Sequence, residues 1–211
     1  NSVTGAIVLR TADPNYDGWS VDAEMAAFIL YKGAAGSVAV NAPIIDDRLA
    51  LRGAYRNHYA VLVDNVNTMQ PDLETFQRKT VARGKVRFDF SPSMHTVLQF
   101  DMVSTLTVGA FTQQTAAAPE WVLINRAFDP EFETDGHDRK TSIDKAPRLY
   151  KDSKTFNGQL NWNVSGDWHL QYTGGWSQFD QGADGDIDFM PIPLLTTQAD
   201  DTFTQYSHEL R

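Results

Sequence analysis

Residues 156–164 carry an amide side chain at every second position, and the positions between them are apolar or glycine. A side-chain period of two is that of a β-strand, because successive side chains of a strand point to opposite faces. One face suits lipid and the other suits a water-filled lumen, as in a strand of a transmembrane β-barrel. The amides are Asn157, Gln159, Asn161 and Asn163.

The same two-faced pattern recurs in three hairpins, whose short turns lie near Asp46, Pro92 and Gly166. Long polar connections separate them, at about residues 61–80, 106–154 and 180–202. Outer-membrane barrels combine short periplasmic turns with long extracellular loops, and about 9 to 11 residues of a strand cross the bilayer. The sequence therefore predicts an all-β fold, an antiparallel transmembrane β-barrel with short periplasmic turns and long extracellular loops.

Aromatic residues support the membrane interpretation. Trp162 and Trp168 flank one short turn on the apolar face, and Trp176, Tyr55 and Tyr59 lie toward the opposite strand ends. Tryptophan and tyrosine concentrate at both membrane boundaries, because their rings are apolar and carry one polar group. We expect these side chains to contact lipid.

Composition excludes several other classes of protein. The net charge of −9 argues against nucleic-acid binding, which needs clustered Lys and Arg. The absence of cysteine excludes disulfides and thiolate metal sites. The longest apolar run, residues 25–31, is far shorter than the roughly 18 to 20 residues of a transmembrane helix. We expect that run to end a strand.

Catalytic and metal-binding motifs give no comparable pattern. The sequence has no nucleophile elbow, zinc-protease helix, P-loop or dinucleotide fingerprint, and its five histidines are scattered, so we predict no enzymatic activity. The acidic segment 180–188 could bind calcium, but it lacks EF-hand spacing and the distal glutamate. We interpret it, and the segment 135–138, as solvated loops, and we predict no metal site and no cofactor.

The N-terminal residues 1–14, NSVTGAIVLRTADP, resemble the end of the plug domain of TonB-dependent outer-membrane receptors. Segments 18–23, 40–44 and 47–52 are similar, in order, to the first three barrel strands of that family, and 203–211 is similar to a later strand. Thr4 departs from the pattern, because a second glycine is common there. The rest of the plug and the energy-coupling box are not in the sequence.

The resemblance implies a division into residues 1–14, the C-terminal end of a plug, and residues 15–211, the N-terminal portion of a barrel of about 22 strands. About eight strands are expected in this portion. The implied function is TonB-dependent active transport across the outer membrane of a Gram-negative bacterium. The cargo would be a scarce nutrient, such as a siderophore–iron complex, a vitamin or an oligosaccharide. The implied partners are outer-membrane lipid and an energy-transducing protein of the TonB type acting on the plug.

Six residues are candidates for contact with the nutrient. Four lie in the longest connection and offer ring stacking or charge, and two arginines on the third strand would line the lumen toward the plug. They are Trp121, Arg126, His137, Tyr150, Arg52 and Arg56.

Two alternative folds also fit the sequence. A self-contained eight-stranded outer-membrane barrel with a structural or adhesion role predicts that the first strand, near Trp19, pairs with the last, near Leu210. A soluble carbohydrate-binding β-sandwich predicts instead that Leu160, Trp162 and Leu170 are buried together.

Overall fold

A computed structural model describes residues 11–29, 32–62, 65–109, 113–134 and 138–211. It contains ten strands and one helix in the described part of the chain. The elements are β1 (Ser20–Phe28), β2 (Gly33–Ile45), β3 (Leu49–Val61), β4 (Val66–Asn67), β5 (Phe76–Ser91), β6 (Met94–Val108), α1 (Pro119–Phe128), β7 (Lys140–Thr141), β8 (Arg148–Ser165), β9 (Trp168–Asp186) and β10 (Thr196–Leu210).

Eight long strands form one antiparallel sheet in the order β1-β2-β3-β5-β6-β8-β9-β10. Each strand of this sheet pairs with the long strands that precede and follow it in the chain. The short strands β4 and β7 pair in parallel in a separate small sheet. The expected all-β, antiparallel fold is therefore confirmed.

Three tight turns join hairpins at one end of the sheet, after Ile45, Ser91 and Ser165. Asp47 has a φ of 55°, which fits an Asp in a tight turn. Two of the expected long connections, now residues 62–75 and 109–147, leave the opposite end. The third is shorter than predicted, because β9 and β10 stay paired as far as Asp186 and Thr196. The charged residues of this paired stretch are typical of a loop in the sequence. They belong to strands because both faces of the sheet are polar there.

The register gives the sheet two chemically different faces. One line of paired residues crosses all eight strands with apolar side chains or glycine, and we call this side the apolar face. The line contains Val21, Val40, Gly53, Gly84, Phe100, Phe156, Trp176 and Tyr206. The adjacent line defines the polar face and contains Ser20, Asn41, Arg52, Lys85, Gln99, Asn157, Gly175 and Ser207.

Burial on this sheet is the reverse of that in a water-soluble domain. Asn41 is fully buried and Lys85 is 6% exposed, whereas Phe156 is 43% exposed and Tyr206 is 70% exposed. The few buried apolar side chains of the described residues are mostly small or lie in the loops: Ala35, Ala42, Ala50, Val61, Phe132 and Ile143. Large side chains of the apolar face are thus exposed, whereas Asn41 and Lys85 of the polar face are covered.

Both alternative folds are wrong for the described chain. The sheet is open, because β1 and β10 lie at its two edges and are not paired with each other. A closed eight-stranded barrel needs that pairing. No second large sheet packs on the first among the described residues, and Trp162, which a sandwich would bury, is 40% exposed.

Candidate functional site: the polar face and the segment docked on it

Paired charges cover the middle of the polar face. Arg83 bonds Asp101 of the neighbouring strand, and Arg87 donates to Asp89 through Nε at 3.1 Å and Nη2 at 3.0 Å. These partners share a face because they are either opposite in register or two residues apart on one strand. These two carboxylates compensate the charges of Arg83 and Arg87.

The N-terminal residues 11–18, which we call the docked segment, lie on this face. Pro14 is fully buried. Asn41 of β2 accepts a hydrogen bond from Asn15 N at 3.1 Å, and its Nδ2 donates to Asn15 O at 3.1 Å and to Gly18 O at 2.9 Å. One amide side chain therefore satisfies three backbone groups of a segment without regular secondary structure.

Two basic side chains of β5 hold the docked segment at its other positions. The Lys85 ammonium donates to Thr11 O at 3.0 Å and to Asp13 Oδ1 at 2.7 Å. The Arg87 guanidinium lies 5.1 Å from the ring centroid of Tyr16, within cation–π range. Lys85 is 6% exposed, so its charge depends on these oxygens for solvation.

A polar cleft of about 450 Å³ lies beside the docked segment. It is bounded by the segment, by Arg83 and Lys85, and by amides of β6 and β8. Its lining includes Thr11, Asp13, Gln99, Asn157, Gln159 and Thr173. The lining side chains include both hydrogen-bond donors and acceptors, so the cleft can hold either a polar small molecule or more polypeptide.

A second ordered region forms where the two long connections meet beyond the other end of the sheet. Asn67 bonds the backbone of Ile143 in both directions, at 2.9 and 3.1 Å. Asp129, which follows α1, accepts from Ser142 Oγ at 2.6 Å and from Thr68 Oγ1. Burial favours a higher pKa for Asp129, but hydrogen bonds from Ser142, Thr68 and the Glu131 backbone outweigh it and hold the pKa below its ordinary value.

The six predicted nutrient-contact residues fall in separate places. Trp121 and Arg126 lie on α1, where Trp121 is 46% exposed and Arg126 Nε donates to Phe132 O at 3.0 Å. Tyr150 lies on β8 and bonds Asp200 of β10. His137 lies outside the described residues.

The two predicted arginines are both on the polar face of β3. Arg52 is paired with Asp22 of β1 at 3.2 Å. Arg56 is exposed and lines a shallow cleft with Asp22 and Glu24. The structure thus does not bring the six residues into one pocket, and their role in nutrient binding stays a prediction.

The residues that hold the docked segment were not predicted from the sequence. Asn41 and Lys85 occupy ordinary polar positions of alternating strands, so these residue types indicate only a face in contact with water. The one available indication was Asn15, because Asn before a glycine-containing turn commonly bonds nearby backbone. Its partner, 26 residues away, could not be identified from local sequence.

The described residues contain neither a metal-binding cluster nor a membrane-spanning helix. No three His, Asp or Glu side chains come close enough together to hold a metal ion. The described part of the chain contains no helix that is long and apolar enough to span a membrane. Comparisons of the chain with protein-family models, with curated proteins and with solved structures found no match.

Proposed function

We propose that this chain forms part of the barrel wall of a TonB-dependent outer-membrane receptor, which imports a scarce nutrient. The observation that carries the proposal is the docked segment, residues 11–18, held on the polar face of an eight-stranded sheet whose other face is apolar. In such a receptor the polar face lines the lumen, and the docked segment is the exit of the plug.

The height of the apolar face supports insertion into a membrane. On β8, outward positions are apolar or glycine from Val164 to Phe156 and then become Lys154 and Asp152. This apolar stretch is about nine residues, close to the roughly 9 to 11 that a tilted strand needs to cross a bilayer. The same change from apolar to polar follows Trp176 on β9. The remaining strand length would project beyond the lipid.

Exposed aromatic side chains lie at the turn end of this stretch. Trp168 is 74% exposed, Phe90 53% and Trp162 40%. A water-exposed apolar surface of this extent is unfavourable, whereas lipid removes the cost. Aromatic rings at the border would sit at the headgroup level. The outer-membrane lipid is therefore the proposed partner of the apolar face.

Transport requires that the plug move while the wall stays fixed. The docked segment is fastened by a small number of polar contacts, chiefly those of Asn41 and Lys85, and these contacts are the natural boundary between fixed and movable chain. An energy-transducing protein would supply the free energy that shifts the plug from a state that binds the nutrient to one that releases it. The loop region around α1 is the proposed outer contact for the nutrient.

The membrane part of the proposal is tested by paired cysteine labels. The chain has no cysteine, so each variant carries a single reactive thiol. Spin labels at Phe156→Cys and Leu160→Cys are expected to be accessible to oxygen from lipid, and labels at Asn157→Cys and Asn161→Cys to a water-soluble reagent. Label accessibility that alternates from one residue to the next along β8 supports the proposed barrel wall. Equal access of the aqueous reagent to all four positions in lipid vesicles would refute it.

The transport part needs cells that produce the whole protein containing this chain. Deleting its gene is expected to abolish growth on one limiting nutrient, and the native gene to restore growth only when the energy-transducing protein is active. An iron chelate, a vitamin and an oligosaccharide are tested as separate arms. Unchanged growth on all of them, with the protein in the soluble fraction, contradicts the function.

A further inference from the structure

A groove of about 350 Å³ lies on the apolar face, where β6, β8, β9 and β10 run side by side. Its floor is a pair of glycines, because Gly158 of β8 is directly opposite Gly174 of β9 in the register. Without side chains at these two positions, the face is lower here than at the neighbouring positions. The larger residues that line the groove include Leu98, Phe156, Leu160, Tyr172, Trp176 and Tyr206.

Bulky residues border the glycine floor on both sides. Toward the long connections, Phe156, Trp176 and Tyr206 are paired in register across β8, β9 and β10. Toward the tight turns, Leu160 is paired with Tyr172. The groove thus runs across the strands. Because strands of a membrane barrel are tilted by roughly 35–45°, such a groove is inclined to the membrane plane and can follow a lipid chain.

One polar pair lies at the β10 end of the groove. Tyr172 Oη and His208 Nδ1 are hydrogen-bonded at 2.7 Å, and the two rings are stacked with their centroids 6.1 Å apart. His208 is directly opposite Gly174, so the imidazole shares the row of the glycine floor. Polar groups at membrane depth are costly unless they are paired, and they commonly mark functional sites. The second ring nitrogen, Nε2, has no hydrogen-bond partner among the described residues.

The polar pair lies close to the border of the apolar stretch. On β10, His208 is followed toward the long connections by Tyr206 and then by Thr204, where the outward positions become polar. Two residues of a strand span about 7 Å, so His208 lies about 7 Å along the strand from the last apolar row. Half of the hydrocarbon core is about 15 Å thick, so the imidazole is nearer to the ester groups of the lipids than to the bilayer centre.

We propose that this groove binds one acyl chain of an ester-linked membrane lipid, whose ester carbonyl accepts a hydrogen bond from His208 Nε2. Tyr172 Oη then donates to Nδ1, because a neutral imidazole with an acceptor at Nδ1 carries its proton on Nε2. The apolar floor and walls hold the chain, and the imidazole recognises its carbonyl. The inference rests on the proposed membrane wall and adds to it a bound lipid that differs from the surrounding lipid.

Photo-crosslinking tests this site in the whole protein containing this chain, reconstituted in vesicles of diether phosphatidylcholine. The probe is a phosphatidylcholine with a diazirine in one chain, added in small amount with either ester or ether linkages. Mass spectrometry gives the ratio of cross-links in the groove to those near Trp162 and Leu170, which lie on the same face outside the groove. One hydrogen bond favours the ester probe, so its ratio should be about 2- to 12-fold higher than that of the ether probe.

Two substitutions separate the parts of the site. His208→Phe keeps a ring and removes Nε2, so the preference for the ester probe should fall to about onefold. Gly158→Val fills the floor with a residue that suits a strand, so groove cross-links of both probes should decrease severalfold. His169→Phe is the matched control, because His169 lies on the polar face beside Asn163, and it should keep the native preference.

Three results would overturn the proposal. The first is an equal ratio for the ester and ether probes in the native protein. The second is a preference for the ester probe that His208→Phe leaves unchanged. The third is an even distribution of cross-links along the apolar face, which means surrounding lipid only and leaves the proposed membrane wall standing. Vesicles that give no cross-links on the apolar face contradict the wall itself, and the lipid site with it.

Discussion

Asn41→Ala should detach the docked segment from the sheet. The side chain is fully buried and serves Asn15 N, Asn15 O and Gly18 O. A net hydrogen bond contributes about 0.5–1.5 kcal/mol, so loss of three raises the free energy of the docked state by about 3 kcal/mol. At about 1.4 kcal/mol per factor of ten, the open fraction increases more than 100-fold.

Chymotrypsin cleavage after Tyr16 measures this opening. Cleavage is proportional to the open fraction when the segment opens and closes faster than the protease cuts. The rate in Asn41→Ala should therefore exceed the native rate by about two orders of magnitude, or by less if the segment becomes fully open. Far-ultraviolet circular dichroism should be unchanged, because the sheet ladder does not use this side chain.

Asn161→Ala is the matched control. Asn161 is also an amide on the polar face, but its Nδ2 contacts His95 Nε2 at 3.2 Å and not the docked segment. Its cleavage rate after Tyr16 should equal the native rate. The argument that this amide holds the segment is refuted if the cleavage rate after Tyr16 rises less than about threefold in Asn41→Ala while cleavage at other sites keeps its native rate.

Three further substitutions test other contacts. Lys85→Met removes two hydrogen bonds from the docked segment, so cleavage after Tyr16 should rise at least about tenfold. The Asp129 pKa lies below its ordinary value of 3.8, so this carboxylate stabilises the loops above that pH and the contribution is lost as pH falls below it. Hydrogen exchange of the loops should show this loss, and Asp129→Asn should not. Gly109→Ala places a Cβ 2.3 Å from Thr75 Oγ1 at a φ of +124° and should destabilise the adjoining strand ends by about 1–3 kcal/mol, measured by their exchange rates.

Local sequence predicted the strands and tight turns well, because both depend on neighbouring residues. The alternation in 156–164 and the turn after Ser165 need no distant information. The extent of β9 was missed, since Asp180 and Asp184 are strand residues only because β8 and β10 pair with them. These residues are polar because solvent contacts both faces of the sheet there, and not because they lie in a loop.

The site depended on contacts that sequence spacing does not encode. The bonds of Asn41 to Asn15 join residues that alternation treats as equivalent to any exposed amide. α1 was also missed within a connection expected to be irregular. Its Pro119 is compatible with a first helical turn, but proline at that position does not by itself predict a helix.

The sheet order has a consequence for assembly. Since every long strand pairs with its predecessor in the chain, each new hairpin can be added to an edge that already exists, without waiting for a distant segment. Such a sheet can grow in one direction from β1 toward β10, and only its latest strand offers an unsatisfied ladder of N–H and C=O groups at the growing side. Because hairpins are added one after another, only one strand on the growing side has unpaired N–H and C=O groups at any moment.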